Sequence, residues 1–133
     1  IFSVGFNLKF YGGAYGLFGN KLKTVMDAVV RRFGLTGLIS KKAGGLNDGY
    51  KKRLSMAAAL MHDPGILFLD EPTSSIDPLA RRVFWRSINK LADEGKAIIV
   101  TTHFMEEAEY CTRIAIQDRG RAPGDSQHER SVY

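Results

Sequence analysis

The sequence predicts an α/β fold in which a parallel sheet follows a mainly helical region. The apolar runs "ILFLD" and "AIIVTT" have the length of strands and alternate with helical patterns after residue 64, an order typical of parallel sheets. The preceding residues instead carry apolar side chains at helical spacing. We therefore expect a helical region over residues 1–63, an α/β region over 64–118 and an irregular tail over 119–133.

Length and composition limit the chain to one domain or part of one. Its 133 residues are 44% apolar, which is enough for one core of ordinary size. No apolar run reaches the roughly 20 residues that span a bilayer. The formal charge of +5 is dispersed in short basic pairs without interleaved aromatic residues, so no nucleic-acid partner is expected. The opening on Ile1, in the middle of a pattern, favours a fragment.

The individual elements follow from periodicity and from helix start and stop signals. Helices are predicted over residues 20–33, from about 49 to 63, and from Pro78 to a stop at Gly95. Buried strands are predicted at "ILFLD" and "AIIVTT". A short acidic helix, "FMEEAEYC", and a third strand, "RIAIQD", complete the α/β region. Phe84, Trp85 and Ile88 are interpreted as the buried face of the last long helix.

Polar side chains follow the first two strands at the points where each strand ends. Asp70 and Glu71 follow the first strand, and Thr101, Thr102 and His103 follow the second. The carboxyl ends of parallel strands meet at one edge of a sheet, which is where ligands bind in such folds. An aspartate there can hold Mg²⁺, and an adjoining glutamate can polarise an attacking water. A solvated strand end explains each residue alone, but their joint placement favours chemistry.

Two stretches resemble the ATP-binding domains of ABC transporters. "ILFLDEPTSSIDP" is similar to the Walker B segment and D-loop of that family, and "IIVTTHFMEEAEYCTRIAI" is similar to its switch-histidine strand. The resemblance extends from about Leu8 to Arg121. It implies the distal part of a P-loop NTPase (RecA-like) parallel-sheet core, preceded by an ABC helical subdomain.

The resemblance also implies roles for individual residues and two ligands, ATP and Mg²⁺. Asp70 would coordinate Mg²⁺, and Glu71 would be the catalytic base. His103 would contact the γ-phosphate, and Asp77 would be the D-loop aspartate at the seam of a dimer of ATP-binding domains.

The stretch "GGLNDGYKKRL", residues 44–54, occupies the place of the family's signature motif, usually LSGGQ. Asn47, Asp48 and Gly49 would therefore face the ATP held by the partner domain, at the start of a helix. Asn47 and Asp48 stand where Ser and Gly are usual, and Tyr50 replaces Gln. Asp48 would repel a γ-phosphate at short range. Alternatively, Asn-Asp serves only as a helix N-cap, and the sequence leaves both interpretations open.

The phosphate-binding loop of the family has no counterpart in these residues. No G-x-x-x-x-G-K-[ST] string occurs, so Walker A is absent from the 133 residues. The closing "APGDSQHERSVY" also departs from the family pattern. We therefore expect a fragment whose isolated form is inactive.

The resemblance favours one function and leaves a rival. "FMEEAEYC" is most similar to ATP-binding subunits of ABC-2-type multidrug exporters. The expected partners are a second ATP-binding domain and an integral membrane permease, and the expected location is the cytoplasmic face of the membrane. The alternative is a non-catalytic remnant or interaction module that binds a partner subunit without turning over ATP.

Overall fold

The computed structural model describes residues 2–116 and divides the chain into two compact units. Residues up to Thr101 belong to the first unit, and those from Thr102 onward belong to the second. The end of the predicted strand "RIAIQD" and the predicted tail, residues 117–133, lie outside the described residues.

Three helices form the first part of the first unit, as predicted for a mainly helical region. They are α1 (Val4–Ala14), α2 (Gly19–Arg32) and α3 (Asp48–Ala59), and α1 packs against both of the others. Short 3-10 turns at Thr36–Leu38 and Ala43–Gly45 lie between α2 and α3. The helical core includes Val4, Leu8, Val30, Leu35, Ala57 and Met61, all buried.

Helix α1 was not predicted as a separate element. Its N-cap is Ser3, whose side chain accepts a hydrogen bond from the Phe6 amide at 3.1 Å. Two glycines in its last turn weaken the helical signal, because glycine is a poor helix former. One of them, Gly12, is buried where α1 meets its neighbours: a Cβ there would lie 2.8 Å from the Met61 methyl group and would also strike Leu22.

Helix α3 ends earlier than residue 63, its predicted end. Leu60 is its C-cap, and the following turn holds Asp63 at a positive φ of 52°. His62 in this turn stacks on Tyr15, with ring centroids 3.9 Å apart. The turn therefore belongs to the connection into the first strand rather than to the helix.

The strands β1 (Ile66–Asp70) and β2 (Ala97–Thr101) form a parallel pair in which Ile66 lies opposite Ala97 and Asp70 lies opposite Thr101. Helix α4 (Pro78–Asp93) connects them and packs against β2. Proline at the first helical position and Gly95 after the C-cap confirm the predicted start and stop of this helix.

Lys96 forms two hydrogen bonds at the start of the strand pair. Its ammonium group donates to the Asp63 carboxylate at 2.6 Å and to the Pro64 carbonyl at 2.9 Å. The Ala97 amide donates to the Gly65 carbonyl at 2.9 Å, which begins the ladder. These contacts join the turn after α3 to the entry of β2.

The prediction that both strands are buried is wrong for one face of the pair. Leu67 is only 5% exposed, whereas Phe68 is 75% exposed and its register partner Ile99 is 53% exposed. Alternate side chains of a strand point to opposite faces. Only one face of β1 and β2 is therefore covered among the described residues, with α4 packed on β2.

The buried face of α4 agrees with the prediction. Phe84, Trp85 and Ile88 are each at most 3% exposed, and Leu91 is fully buried. Their spacing of three and four residues places them on one side of the helix. This packing anchors the connection between the two strands.

The second unit contains a 3-10 helix, Met105–Tyr110, where a short acidic helix was predicted. The predicted third strand is wrong over its described residues, 113–116, which have no strand conformation. A strand requires a neighbouring chain for its backbone hydrogen bonds, and in the described residues only β1 and β2 pair in this way. Within residues 2–116, no helix is both long and apolar enough to cross a membrane.

Candidate functional site

The Asp70 carboxylate, the Glu71 backbone and the Thr101 side chain lie together at the carboxyl end of the strand pair. The Thr101 hydroxyl donates a hydrogen bond to Oδ1 of Asp70. The Glu71 amide donates to the Thr101 carbonyl at 3.0 Å and to the Thr101 hydroxyl oxygen at 3.3 Å. The predicted placement of Asp70 and Thr101 at one sheet edge is thus confirmed by their register.

The turn after Glu71 is fixed through the Glu71 carbonyl. This oxygen accepts from the Ser74 amide at 3.1 Å, from the Ser74 hydroxyl at 2.9 Å and from the Lys52 ammonium at 3.4 Å. Glu71 itself has a positive φ of 41°, a conformation that non-glycine residues rarely adopt and that often occurs at functional sites. Lys52, on α3, links the helical part to this turn, and no sequence signal identified that link.

The donor atoms at this strand end fit Mg²⁺. Magnesium prefers oxygen ligands and is commonly held by one or two carboxylates together with phosphates and water. Asp70 supplies a carboxylate beside the Thr101 hydroxyl, and Glu71, the next residue, supplies a second carboxylate. In residues 2–116, no three or more His, Cys, Asp or Glu side chains cluster in a way that could hold a metal. Any ion here would therefore complete its coordination with phosphate or water oxygens.

The other predicted ligand-binding residues line a cavity of about 370 Å³ between the starts of α3 and α4. Asn47, Asp48 and Gly49 line it from α3, and Asp77 lines it from the residue before α4. The structure thus brings together the signature-like motif and the D-loop aspartate. The first backbone N–H groups of a helix have no partner within the helix and favour anions. Two such helix starts border this cavity.

Of the two residues Asn47 and Asp48, Asn47 is the helix cap. Its Oδ1 accepts from the Tyr50 amide at 2.9 Å, which makes it the N-cap of α3. Asp48 is instead the first helical residue, and its carboxylate lies 3.4 Å from the Lys51 ammonium. A carboxylate in the first turn is favourable to the helix.

Asp77 is also a helix cap. Its Oδ1 accepts from the Leu79 amide at 3.1 Å and from the Ala80 amide at 3.0 Å. The sequence suggested only a place at a dimer seam for this residue. The cap could have been recognised from the Asp-Pro pair, since aspartate before a proline at N1 is a helix-start signal.

His103 belongs to the second unit, two residues beyond the end of β2. Its ring lies against Phe104, with centroids 4.2 Å apart. The Thr102 hydroxyl accepts from the Phe104 amide at 3.1 Å, which shapes the backbone after His103. Farther along, burial raises the pKa of the Cys111 thiol, so this thiol is less readily ionised than a free cysteine.

Comparison with known families identifies two overlapping matches. The ABC transporter family model matches residues 7–74, about half of the chain. A second model, described as an AAA domain with a putative AbiEii toxin of a Type IV toxin–antitoxin system, matches residues 45–107. Both matches include residues 45–54 of the signature-like stretch and all of β1.

Curated relatives match most of the chain. It is 49% identical over 115 residues to the probable multidrug ABC transporter ATP-binding protein YbhF of Escherichia coli K12, covering 86% of this chain and 20% of that protein. It is 40% identical over 121 residues to the Nod factor export ATP-binding protein I of Rhizobium sp. strain N33, covering 90% of this chain and 40% of that protein. The chain thus spans only a minor part of the length of these relatives.

Solved structures agree in fold. The structure of cbiO1 from Clostridium perfringens, part of the ABC transporter complex cbiONQ, matches with a TM-score of 0.81 at 29% identity, over 92% of this chain and 50% of that one. MJ1267, an ATP-binding cassette of an ABC transporter, matches with a TM-score of 0.72 at 20% identity, over 79% of this chain and 42% of that one. The predicted fold class is confirmed, and the chain belongs to the ABC transporter family, in which it corresponds to part of the ATP-binding domain.

Proposed function

We propose that the chain is the distal part of the ATP-hydrolysing subunit of an ABC-2-type exporter. The observation that carries the proposal is the arrangement at the end of β1, where Asp70 and Glu71 are tied to β2 through Thr101. The names of the relatives, a probable multidrug transporter protein and a Nod factor export protein, support an export role.

The residues divide into two groups with different tasks. At the strand end, Asp70 holds Mg²⁺, which would neutralise phosphate charge, and Glu71 accepts a proton from the attacking water. His103 contacts the transferring phosphate. The turn contacts of the Glu71 carbonyl support this role, because they fix the backbone from which the base projects.

The second group forms the cavity at the starts of α3 and α4. Asn47, Asp48 and Gly49 face the ATP bound by a second ATP-binding domain, and Asp77 lies at the seam of that dimer. The Arg53 guanidinium, which also lines this cavity, supports the binding of an anionic ligand. In the exporter the dimer closes on ATP and acts on an integral membrane permease at the cytoplasmic face of the membrane.

ATP binding requires a phosphate-binding loop, and no Walker A string occurs in these 133 residues. We therefore expect the chain alone to bind Mg²⁺-ATP weakly and not to hydrolyse it. Preorganised contacts to the transferring phosphate supply a large share of catalysis, and most of them come from that loop.

The test compares the full chain alone with the chain joined to an upstream segment that carries a Walker A motif. The joined protein should bind a fluorescent ATP analogue and hydrolyse ATP, and Glu71→Gln should abolish hydrolysis but retain binding. The chain alone should bind the analogue only weakly and should not hydrolyse ATP. Micromolar binding or Glu71-dependent turnover by the chain alone would contradict this expectation. A joined protein that folds and binds ATP but never hydrolyses it would instead support the non-catalytic module.

A further inference from the structure

We infer that Thr101 is a positioning residue for the carboxylate of Asp70 and the backbone of Glu71, acting through its side-chain hydroxyl. The inference rests on the proposed function, since it concerns how the proposed metal ligand is held. Nothing in the family resemblance assigned a role to Thr101.

The direction of each hydrogen bond at this hydroxyl follows from its chemistry. A hydroxyl has one proton to donate and lone pairs that accept. The Glu71 amide can only donate, so the Thr101 oxygen accepts from it, at 3.3 Å. The single hydroxyl proton is then directed to Oδ1 of Asp70, so one side chain orients both neighbouring residues of the proposed site.

The strand register makes this contact specific to position 101. Asp70 and Thr101 are register partners in the parallel ladder, and the Glu71 amide also donates to the Thr101 carbonyl at 3.0 Å. The backbone of Thr101 is thereby held beside both residues. Because a strand alternates its side chains between faces, the neighbouring side chain of β2, Val100, points to the opposite face.

The Thr101 hydroxyl contacts the side chain of Asp70 but only the backbone of Glu71, so it orients the Asp70 carboxylate. A carboxylate rotates freely about its last torsion unless a donor fixes it, and a donor to a charged oxygen forms a strong hydrogen bond. With Oδ1 held by Thr101, the carboxylate plane is set before an ion arrives. Partners that orient a metal ligand in this way typically change metal affinity about 10–100-fold when they are mutated.

The experiment uses the full 133-residue chain with Mn²⁺ alone as a paramagnetic probe. Isotope-edited NMR follows the line broadening of Asp70 and Glu71 as Mn²⁺ is added. Thr101→Val keeps the branched shape that suits a strand but removes the hydroxyl, and Thr101→Ser keeps the hydroxyl. We expect Thr101→Val to require about 10-fold more Mn²⁺ for equal broadening, and Thr101→Ser to stay within about twofold of the parent chain.

Asp70→Asn distinguishes the proposed metal role of Asp70 from the positioning role of Thr101. If the parent broadening at residues 70 and 71 does not depend on Asp70, the proposed metal role is wrong and the inference fails with it. If it depends on Asp70 but is equal in the parent and Thr101→Val, only the role of Thr101 is overturned. Amide shifts of Leu69 and Ile99 report whether the ladder is retained in each variant. Thr101→Ala, which cannot overfill the position, repeats the measurement if the valine variant does not fold.

Discussion

Asp77 has a structural task that is separable from its proposed place at a dimer seam. Its carboxylate accepts from two amides in the first turn of α4. An N-cap side chain is typically worth about 1 kcal/mol. Any experiment on Asp77 must therefore distinguish the stability that its helix cap provides from the effect of its negative charge.

Asp77→Ala should lower the free energy of unfolding of the chain by about 1 kcal/mol, because two amides of α4 lose their acceptor. Asp77→Asn retains an oxygen acceptor without the charge and should change it by only a few tenths of this amount. Urea denaturation measures both. Equal losses in the two variants would show that the charge, not the cap, stabilises the helix start.

The ion pair of Asp63 with Lys96 predicts a pH dependence. The hydrogen bond and the charge of Lys96 hold the pKa of the Asp63 carboxyl below its ordinary value of 3.8. A carboxyl whose pKa is lower in the folded state stabilises the fold above its unfolded pKa, and this contribution is lost as pH falls through the folded pKa. Asp63 is mostly exposed, so solvent screening keeps the effect small.

Asp63→Asn should therefore reduce stability at pH 7 and have a diminishing effect below about pH 3.8, the ordinary value of the group. Urea denaturation at several pH values provides the measurement. In a Lys96→Gln background the same substitution should have almost no effect, because its partner is gone. A pH-independent difference between the parent and Asp63→Asn would overturn this explanation.

Sequence reasoning located the carboxylates of the site but not what holds them. Asp70 and Glu71 follow a recognisable apolar strand, so their place at its end was predictable. The hydroxyl of Thr101 and the ammonium of Lys52 act across 30 and 19 residues of chain, respectively. Contacts of this kind depend on strand register and helix placement, which hydrophobic periodicity does not specify.

At the scale of elements, the two adjacent glycines of α1 differ in the space that a side chain would have. Gly12 lies where a Cβ would strike Leu22 and approach Met61 to 2.8 Å, whereas a Cβ at Gly13 would meet nothing within 4 Å. The pair therefore offers a matched comparison of close packing against helix propensity.

Gly13→Ala should raise the free energy of unfolding by roughly 0.5–1 kcal/mol, since alanine favours the helix without a new contact. Gly12→Ala gains the same propensity but must displace buried side chains, which typically costs about 1–3 kcal/mol. We expect Gly12→Ala to be the less stable of the two when both are measured by thermal and urea unfolding. If both variants were equally stabilised, the α1 contact would be looser than the structure indicates.

The strands were the most predictable elements, and their burial was the least predictable property. "ILFLD" corresponds to β1 without change, and β2 ends one residue before the predicted end. An apolar run predicts that both faces are covered, but the coverage comes from other segments. Phe68 and Ile99 remain exposed because no described element packs on their face.

At the scale of the whole molecule, the fold class was predictable because the order of elements is local information. Strand, helix and strand follow one another between residues 66 and 101, and a glycine or proline lies at or just before the start of each. The prediction of a third strand was wrong for residues 113–116. A strand needs a neighbouring chain to pair with, and the local sequence pattern does not show which segment would be that neighbour. The wider assembly, a dimer acting on a permease, stays a prediction.

The hydrogen bonds of Lys96 to Asp63 and Pro64 bear on the order in which the elements fold. The β1–α4–β2 unit closes a loop of roughly 30 residues, which carries a modest entropic cost because that cost grows only slowly with loop length. Contacts of short sequence separation form early in folding, whereas parallel strand pairing across a loop of this length is slow. The ladder, secured at its start by Lys96 and at its end by Thr101, is therefore expected to form after the local turns of the helices. The strand end that carries Asp70 and Glu71 would then be shaped late in folding.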